Sequence, residues 1–112
     1  MDGKVVLVTG GSGHIGLAIA AEFKRQGAHV AIASSSQANL DRAGEQLRAI
    51  GQGGLLASRR DLKHPDAASA LVDEVVARFG RLDVLVNCAG NFKRGDLLSL
   101  ANEGKHTFWM VA

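Results

Sequence analysis

The segment KVVLVTGGSGHIG, residues 4–16, joins a valine-rich apolar run to a glycine-rich loop. The run from Lys4 to Thr9 predicts a strand that is buried on both faces. A helical pattern begins at about His14. The spacing G-x-G-x-x-G occurs between them, at Gly11, Gly13 and Gly16. This arrangement favours a phosphate-binding loop, because glycine lets the backbone approach an anion and a helix N-terminus presents unpaired N–H groups to it.

Three further apolar runs alternate with helical patterns along the chain. The predicted strands after the first are residues 29–33, 55–60 and 82–87, and the predicted helices are residues 14–26, 36–50 and 65–79. Strands that alternate with helices of this length predict an α/β fold with right-handed crossovers. We therefore expect a doubly wound parallel sheet, truncated after the fourth strand.

The composition narrows the classes of partner. The chain has 112 residues, 13 of them basic and 11 acidic, and neither sign forms a block. A nucleic-acid-binding surface gathers its basic residues into a patch, so we expect no nucleic-acid partner. The first residues hold no apolar run long enough for a signal peptide or a membrane span. The single cysteine, Cys88, is predicted to be a buried free thiol. A cytoplasmic protein without a membrane partner is the expectation.

Four short motifs follow one another along the chain. Thr9 to Gly16 reads TGGSGHIG, and Asp61-Leu62 follows the third predicted strand. Residues 80–86 read GRLDVLV, and residues 87–90 read NCAG. As a set, with this spacing, they resemble the N-terminal half of the short-chain dehydrogenase/reductase family, whose counterparts include a TGxxxGxG loop and an NNAG motif.

The resemblance implies a fold, a reaction and a set of cofactor-binding residues. It implies a Rossmann-like fold and an NAD(P)-dependent oxidoreductase that transfers hydride between carbonyl and alcohol. Residues 1–100 would form a dinucleotide-binding half domain, and residues 101–112 a poorly patterned tail. Asp61 would bind the adenine amino group, and the NCAG motif would steady the central sheet and line the adenosine side of the site. The implied cofactor-binding residues are Gly10, Ser12, Gly13, His14, Ile15, Gly16, Ser34, Ser35, Asp61, Leu62, Asn87, Ala89 and Gly90.

The glycine loop departs from the family pattern at one position. The family's middle glycine would fall at His14, and Gly13 supplies a glycine one residue earlier, which gives TGxxGxxG. That spacing resembles the longer-chain branch of the superfamily, whereas NCAG resembles the shorter-chain branch. His14 either contacts the pyrophosphate or faces solvent without a role.

The end of the second predicted strand bears on the choice of nicotinamide cofactor. An NAD-preferring site places a carboxylate there, where it accepts from the ribose 2′-OH. Ser34 occupies that position, and no carboxylate follows until Asp41. Ser35 replaces the arginine that NADP-preferring relatives often carry, and a hydroxyl holds phosphate less strongly than a bidentate arginine. The sequence favours NADP over NAD.

The family's catalytic residues find no counterpart in the sequence. Its proton donor is a tyrosine in a Tyr-x-x-x-Lys helix, and these 112 residues contain no tyrosine. No catalytic residue is assigned. We expect a truncated chain that binds a nicotinamide dinucleotide without catalysis. A small-molecule carbonyl or alcohol would be a substrate of a longer form, and an oligomer is compatible with the sequence.

Three alternatives stay open. The chain is a non-catalytic nucleotide-binding remnant, an interaction protein with an exposed edge at the fourth strand, or a fold whose glycine-rich turn binds nothing. A methyltransferase-like nucleotide site is disfavoured by NCAG and by the missing acid after the second strand.

Overall fold

The computed structural model describes residues 1–10, 12–64 and 66–88, together with the backbone of residues 109–111. Strands and helices alternate along these ranges. The strands are β1 (Val5–Thr9), β2 (His29–Ser34), β3 (Leu55–Arg59), β4 (Val84–Asn87) and β5 (Trp109–Val111). The helices are α1 (His14–Arg25), α2 (Gln37–Arg48) and α3 (Ala67–Phe79).

The strands form one parallel sheet in the order β3-β2-β1-β4-β5. β1 pairs with β2 on one side and with β4 on the other, so the strand order reverses at β1. This confirms the predicted Rossmann-like doubly wound sheet. In such sheets the ligand crevice lies outside the carboxyl ends of the strands, at the point of reversal.

Both faces of the sheet are covered, which explains the valine-rich first strand. Every residue of β1 is buried. Val5 and Leu7 pack on the face covered by α3, in one cluster with Leu71 and Val75. The alternate valines of β1 pack on the other face, against residues of α1 and α2. A strand with a helix layer on each side has no polar face, so its apolar residues run continuously instead of alternating.

Glycines in the left-handed conformation lie just beyond the ends of two helices. Gly27 follows α1 with a φ of 90°. Gly80 caps α3 with a φ of 85°, and its N–H donates to the carbonyl of Val76 at 2.7 Å. Glycine adopts this conformation without the steric cost that a Cβ imposes. The predicted helix ends at both glycines are confirmed.

Asp83, the residue before β4, ties β4 to the first residue of β1 through a side-chain hydrogen bond. Asp83 Oδ2 accepts from the Val5 N–H at 2.9 Å, while Arg81 Nη2 donates to Asp83 Oδ1 at 2.7 Å. Burial alone would raise the pKa of Asp83. The hydrogen bonds from Arg81 and Val5, with the positive charges of Arg81 and Lys4, outweigh burial and hold that pKa below its ordinary value. Asp83 thus fixes the position of β4 beside β1.

The sheet extends one strand further than the sequence predicted. β5 pairs in parallel with β4, with Val84 opposite Trp109 and Val86 opposite Val111. β4 therefore does not form the open edge on which the interaction-protein alternative depended. The strand was missed because three residues are too few to show a strand period.

Candidate functional site

The glycine loop after β1 forms a tight turn into α1. Gly10 has a φ of 72°, a conformation that favours glycine. Its carbonyl accepts from the Gly13 N–H at 3.0 Å, and its own N–H donates to the carbonyl of Ala33 at 3.1 Å. Gly13 precedes α1 with a φ of −80° and a ψ of 171°, which any residue adopts. The backbone conformation favours glycine at position 10, whereas the conformation at position 13 does not require glycine. Gly11 lies outside the described residues.

The first turn of α1 presents N–H groups that no side chain caps. The Gly13 position makes no side-chain cap, and the first turn contains no acidic residue. At the start of α2, by contrast, Ser36 Oγ accepts from the Asn39 N–H at 3.3 Å. Uncapped N–H groups and the helix dipole together create a partial positive charge at the start of α1. This turn is suited to an anionic group.

The side chains of the first turn of α1 differ in exposure. His14 is exposed, and Ile15 has 73% of its surface exposed. Gly16 is buried against the sheet, where the absence of a Cβ allows close packing between helix and strands. Ile15 is thus an apolar side chain held in solvent beside a polar loop.

A cavity of about 230 Å³ lies at the carboxyl ends of β1, β2 and β3. We call it the Ser34 cavity. Its lining residues are Gly10, Ala33, Ser34, Ser35, Arg60, Asp61, Leu62 and Lys63. It therefore brings together five of the residues predicted from sequence, and they come from three separate strand ends.

The polar groups of the Ser34 cavity are fixed by local hydrogen bonds. Ser34 Oγ accepts from the Ser36 N–H at 3.1 Å. Asp61 Oδ1 accepts from the Lys63 N–H at 3.1 Å, and Asp61 Oδ2 lies 3.8 Å from His64 Nε2. The Asp61 carboxylate is therefore held at the rim in an orientation set by its own turn.

Leu62 reaches the Ser34 cavity in a different way from its neighbours. Its side chain is 5% exposed and packs in the core cluster that includes Leu71 and Leu85. The side chain holds the loop after β3 down on the sheet. Leu62 thus borders the cavity while its side chain is anchored in the core.

A second cavity lies between the glycine loop and α2. We call it the His14 cavity. Its lining residues are Ser12, Gly13, His14, Leu17, Asn39, Arg42, Ala43 and Gln46. Gly10 lines the first cavity while Ser12 and Gly13 line the second, so the glycine loop contributes to both. Arg42 Nη2 donates to the side-chain oxygen of Asn39 in this cavity.

The motif at the end of β4 is described in part. Asn87 Oδ1 accepts from Thr9 Oγ1 at 2.8 Å, which ties β4 to β1 at the carboxyl edge. Ala89 and Gly90 lie outside the described residues. The prediction that Cys88 is buried was wrong, because the thiol is exposed. β4 ends at Asn87, so Cys88 lies past the part of the strand that the helices cover.

Several basic and polar residues of the two cavities were missed at the sequence level. They are Asn39, Arg42, Arg60 and Lys63. The adjacent arginines 59 and 60 are visible in the sequence as a basic pair, but a pair alone is also typical of a solvated loop. Their place at the end of β3, beside the serines of β2, is the signal that distinguishes them.

Within the described ranges, no group of three or more His, Cys, Asp or Glu side chains is placed to hold a metal ion. No helix in the same ranges combines the length and apolar character needed to cross a membrane.

Known proteins resemble this chain over most of its length. The short-chain dehydrogenase family model matches residues 4–107. A short-chain dehydrogenase/reductase of Macrophomina phaseolina is 45% identical over 96 residues, which cover 86% of this chain and 55% of that protein. An uncharacterized oxidoreductase of Mycobacterium tuberculosis is 39% identical over 103 residues, covering 92% of this chain and 39% of that protein. The chain thus spans about half the length of these relatives or less.

Solved structures show the same fold. L-sorbose reductase from Gluconobacter frateurii, solved with NADPH and L-sorbose, matches with a TM-score of 0.75 and 37% identity over 80% of this chain and 34% of that one. NAD⁺-bound xylitol dehydrogenase matches with a TM-score of 0.72 and 34% identity over 76% of this chain and 32% of that one. Sequence motifs, sheet order and family match agree: the chain belongs to the short-chain dehydrogenase/reductase family of oxidoreductases.

Proposed function

We propose that this chain forms the dinucleotide-binding part of an oxidoreductase that transfers hydride between NADP(H) and a small-molecule carbonyl or alcohol. The observation that carries the proposal is the Ser34 cavity, where the ends of three strands meet beside the uncapped start of α1. Family membership supplies the class of reaction.

The pyrophosphate lies at the first turn of α1 in this proposal. The N–H groups of residues 14–16 and the Ser12 hydroxyl donate to it, and the helix dipole favours its negative charge. Gly13 lets the phosphate approach because no side chain stands in front of the backbone. His14 lines the adjoining cavity and is positioned for a further polar contact.

The adenosine occupies the Ser34 cavity. The Asp61 carboxylate accepts from the adenine amino group, and the backbone of Leu62 borders the ring. Ser34 and Ser35 face the ribose. This assignment is supported by the cavity's composition, in which Asp61 is the single carboxylate among the lining residues, and by the general position of the adenosine ribose at the end of the second strand of such folds.

Asn87, which ties β4 to β1, lines the adenosine side of the site, and the nicotinamide end extends beyond it along the carboxyl edge of the sheet. The bound dinucleotide supplies the hydride chemistry. The chain's own contribution is to bind and orient it. Ile15, with 73% of its surface exposed, offers an apolar surface that a flat ring covers.

The preference for NADP follows from Ser34. A carboxylate at this position would repel a 2′-phosphate, and a serine does not. The solved relatives include both an NADPH complex and an NAD⁺ complex, so family membership alone does not select between them.

In this proposal, the 112 residues bind the cofactor but do not catalyse hydride transfer. They contain no tyrosine, so the family's proton donor is not among them, and we assign no catalytic role to any residue. The substrate is a carbonyl or alcohol recognised by the part of the family fold that this chain does not span. A cytoplasmic location and an oligomeric state stay predictions from sequence.

Calorimetric titration of the chain with NADP⁺, NAD⁺ and nicotinamide mononucleotide tests the proposal. We expect both dinucleotides to bind and the mononucleotide, which lacks adenosine, to give no measurable heat. A chain that binds neither dinucleotide contradicts the proposal. NADPH oxidation with a panel of carbonyl compounds is expected to stay at the background rate, and turnover at enzyme-like rates would overturn the non-catalytic assignment.

A further inference from the structure

β3 ends at Arg59, Arg60 follows it, and the two side chains bind different partners. Arg60 Nη2 lies 3.0 Å from Glu74 Oε1 on α3, so its charge is paired. Arg59 Nε donates to the Ser35 carbonyl at 3.3 Å, on the loop that leads to α2. Within the described part of the chain, Arg59 is paired with no carboxylate. Arg59 is an exposed cation that contacts the backbone of Ser35, a residue of the Ser34 cavity, while Arg59 itself lines an adjoining cavity with His64.

The strand register places Arg59 beside the residue that governs cofactor choice. Ser34 and Arg59 are direct partners in the β2–β3 ladder. The Arg60 N–H also donates to the Ser34 carbonyl, at 3.0 Å, which fixes the two strand ends to each other. A group attached to the ribose at Ser34 therefore lies next to the Arg59 side chain, although 25 positions separate the two residues along the chain.

We propose that Arg59 is the specificity-determining residue for NADP: its guanidinium binds the 2′-phosphate of the adenosine ribose. The terminal nitrogens of Arg59 donate to the phosphate while Nε stays on Ser35, and the hydroxyls of Ser34 and Ser35 complete the site. A guanidinium donates to phosphate in a fixed fork, which makes it well suited to this group. Ser35 stands where NADP-preferring relatives often carry an arginine. In this chain, Arg59 of the neighbouring strand supplies the guanidinium instead. This inference rests on the proposed function.

Titration of Arg59→Gln with NADP⁺ and NAD⁺ tests the inference. Loss of a charge-assisted contact predicts an NADP⁺ Kd that rises about ten-fold or more. The NAD⁺ Kd stays within about two-fold, since NAD⁺ carries no 2′-phosphate, and this also shows that the variant is folded. Arg25→Gln is the charge-matched control at the opposite end of α1, and we expect it to change neither Kd.

Arg42→Gln and Lys63→Gln test two rival cations, which lie in the His14 cavity and in the Ser34 cavity respectively. If either variant weakens NADP⁺ binding and Arg59→Gln does not, another cation holds the phosphate and the inference is overturned. An unchanged ratio of the two Kd values in Arg59→Gln also overturns it while leaving the proposed function intact. If neither dinucleotide binds the wild-type chain, the proposed function itself fails.

The wild-type chain provides an independent check that needs no variant. Raising the salt concentration from about 0.05 M to about 0.5 M screens an exposed guanidinium–phosphate contact. We expect NADP⁺ binding to weaken more than NAD⁺ binding, so the ratio of their Kd values moves toward one. Equal weakening of both contradicts a charge contact at the 2′ position.

Discussion

Gly13→Ala separates the cofactor-binding role of the glycine loop from its structural role. A Cβ built on Gly13 meets the Gly10 carbonyl oxygen at 3.5 Å, an ordinary van der Waals distance. The φ of −80° suits alanine. Among the described residues of the loop, nothing therefore opposes the substitution. In the proposed complex with the dinucleotide, the same methyl group faces the pyrophosphate.

The expected effect on stability is small. Alanine is a poorer N-cap than glycine, at a cost of about 1 kcal/mol. Alanine also lowers the conformational entropy of the unfolded chain, which stabilises the folded chain by about 0.4–1 kcal/mol. The net change lies within about 1 kcal/mol, or about 4 °C in Tm for a chain of this size.

The expected effect on binding is large by comparison. Losing one hydrogen bond to a charged phosphate raises Kd about ten-fold or more. NADP⁺ at 100 times the wild-type Kd stabilises the wild-type chain by about 2.7 kcal/mol. At the same concentration, a ten-fold weaker variant retains about 1.4 kcal/mol. The ligand-induced rise in Tm is therefore roughly halved.

Thermal unfolding of both chains with and without NADP⁺ measures this directly. Gly80→Ala is the matched control, because it makes the same chemical change at the end of α3, where a Cβ meets no atom of the described residues within 4 Å. We expect it to lower Tm and to leave the ligand-induced rise unchanged. A Gly13→Ala chain that gains as much from NADP⁺ as wild type would refute the position of the pyrophosphate at this loop.

Three further predictions concern cofactor choice, pH and packing. Ser34→Asp keeps an acceptor for the Ser36 N–H, which donates to the Ser34 hydroxyl in the wild-type chain. We expect charge repulsion to raise the NADP⁺ Kd about ten-fold or more while NAD⁺ binding is retained. A ratio of the two calorimetric Kd values unchanged from wild type would contradict this. Asp83→Asn weakens the hydrogen bond to Val5 and costs about 1–3 kcal/mol at pH 7. Folding lowers the pKa of Asp83, so the ionised carboxylate stabilises the folded chain at pH values above its unfolded pKa. This stabilisation is lost as the pH falls through the folded pKa. The free energies of unfolding of the two chains, measured by urea titration, should therefore converge below about pH 4 and not before. Gly51→Ala should lower the free energy of unfolding by at least about 2 kcal/mol more than Gly80→Ala in the same assay. Both glycines have a positive φ, but a Cβ on Gly51 would lie 2.1 Å from a backbone carbonyl oxygen of α1. Equal losses of stability in the two variants would show that the loop moves freely.

The alternation of strands and helices was predictable because local signals mark it. The valines of β1 indicate a strand buried on both faces, and Gly27 and Gly80 indicate helix ends. β5 was not predictable, since three residues carry no period and its place depends on pairing with β4. The exposure of Cys88 was also missed, because it depends on where β4 ends relative to the helices.

The candidate site divides in the same way. Gly10, Ser34 and Asp61 were predicted from motifs, and the structure places them around one cavity. The role of Asp83 in holding β4 to β1 was not predictable, since its partner Val5 lies 78 positions away. Arg59 and Arg60 are adjacent in sequence, yet one faces Ser35 and the other Glu74. That separation comes from the alternation of side chains along β3 and from its register with β2.

Amide chemical shifts of the chain during titration with NADP⁺ show where the cofactor binds. The proposed placement puts adenosine at the carboxyl ends of β1, β2 and β3 and the pyrophosphate at the start of α1. It predicts saturable shifts at Gly10, Ser12–Gly16, Ser34–Ser35 and Asp61–Leu62. It predicts unchanged amides at Gly51–Gly54, at the opposite edge of the sheet. Shifts confined to that opposite edge, or no shifts at millimolar NADP⁺, would contradict the account.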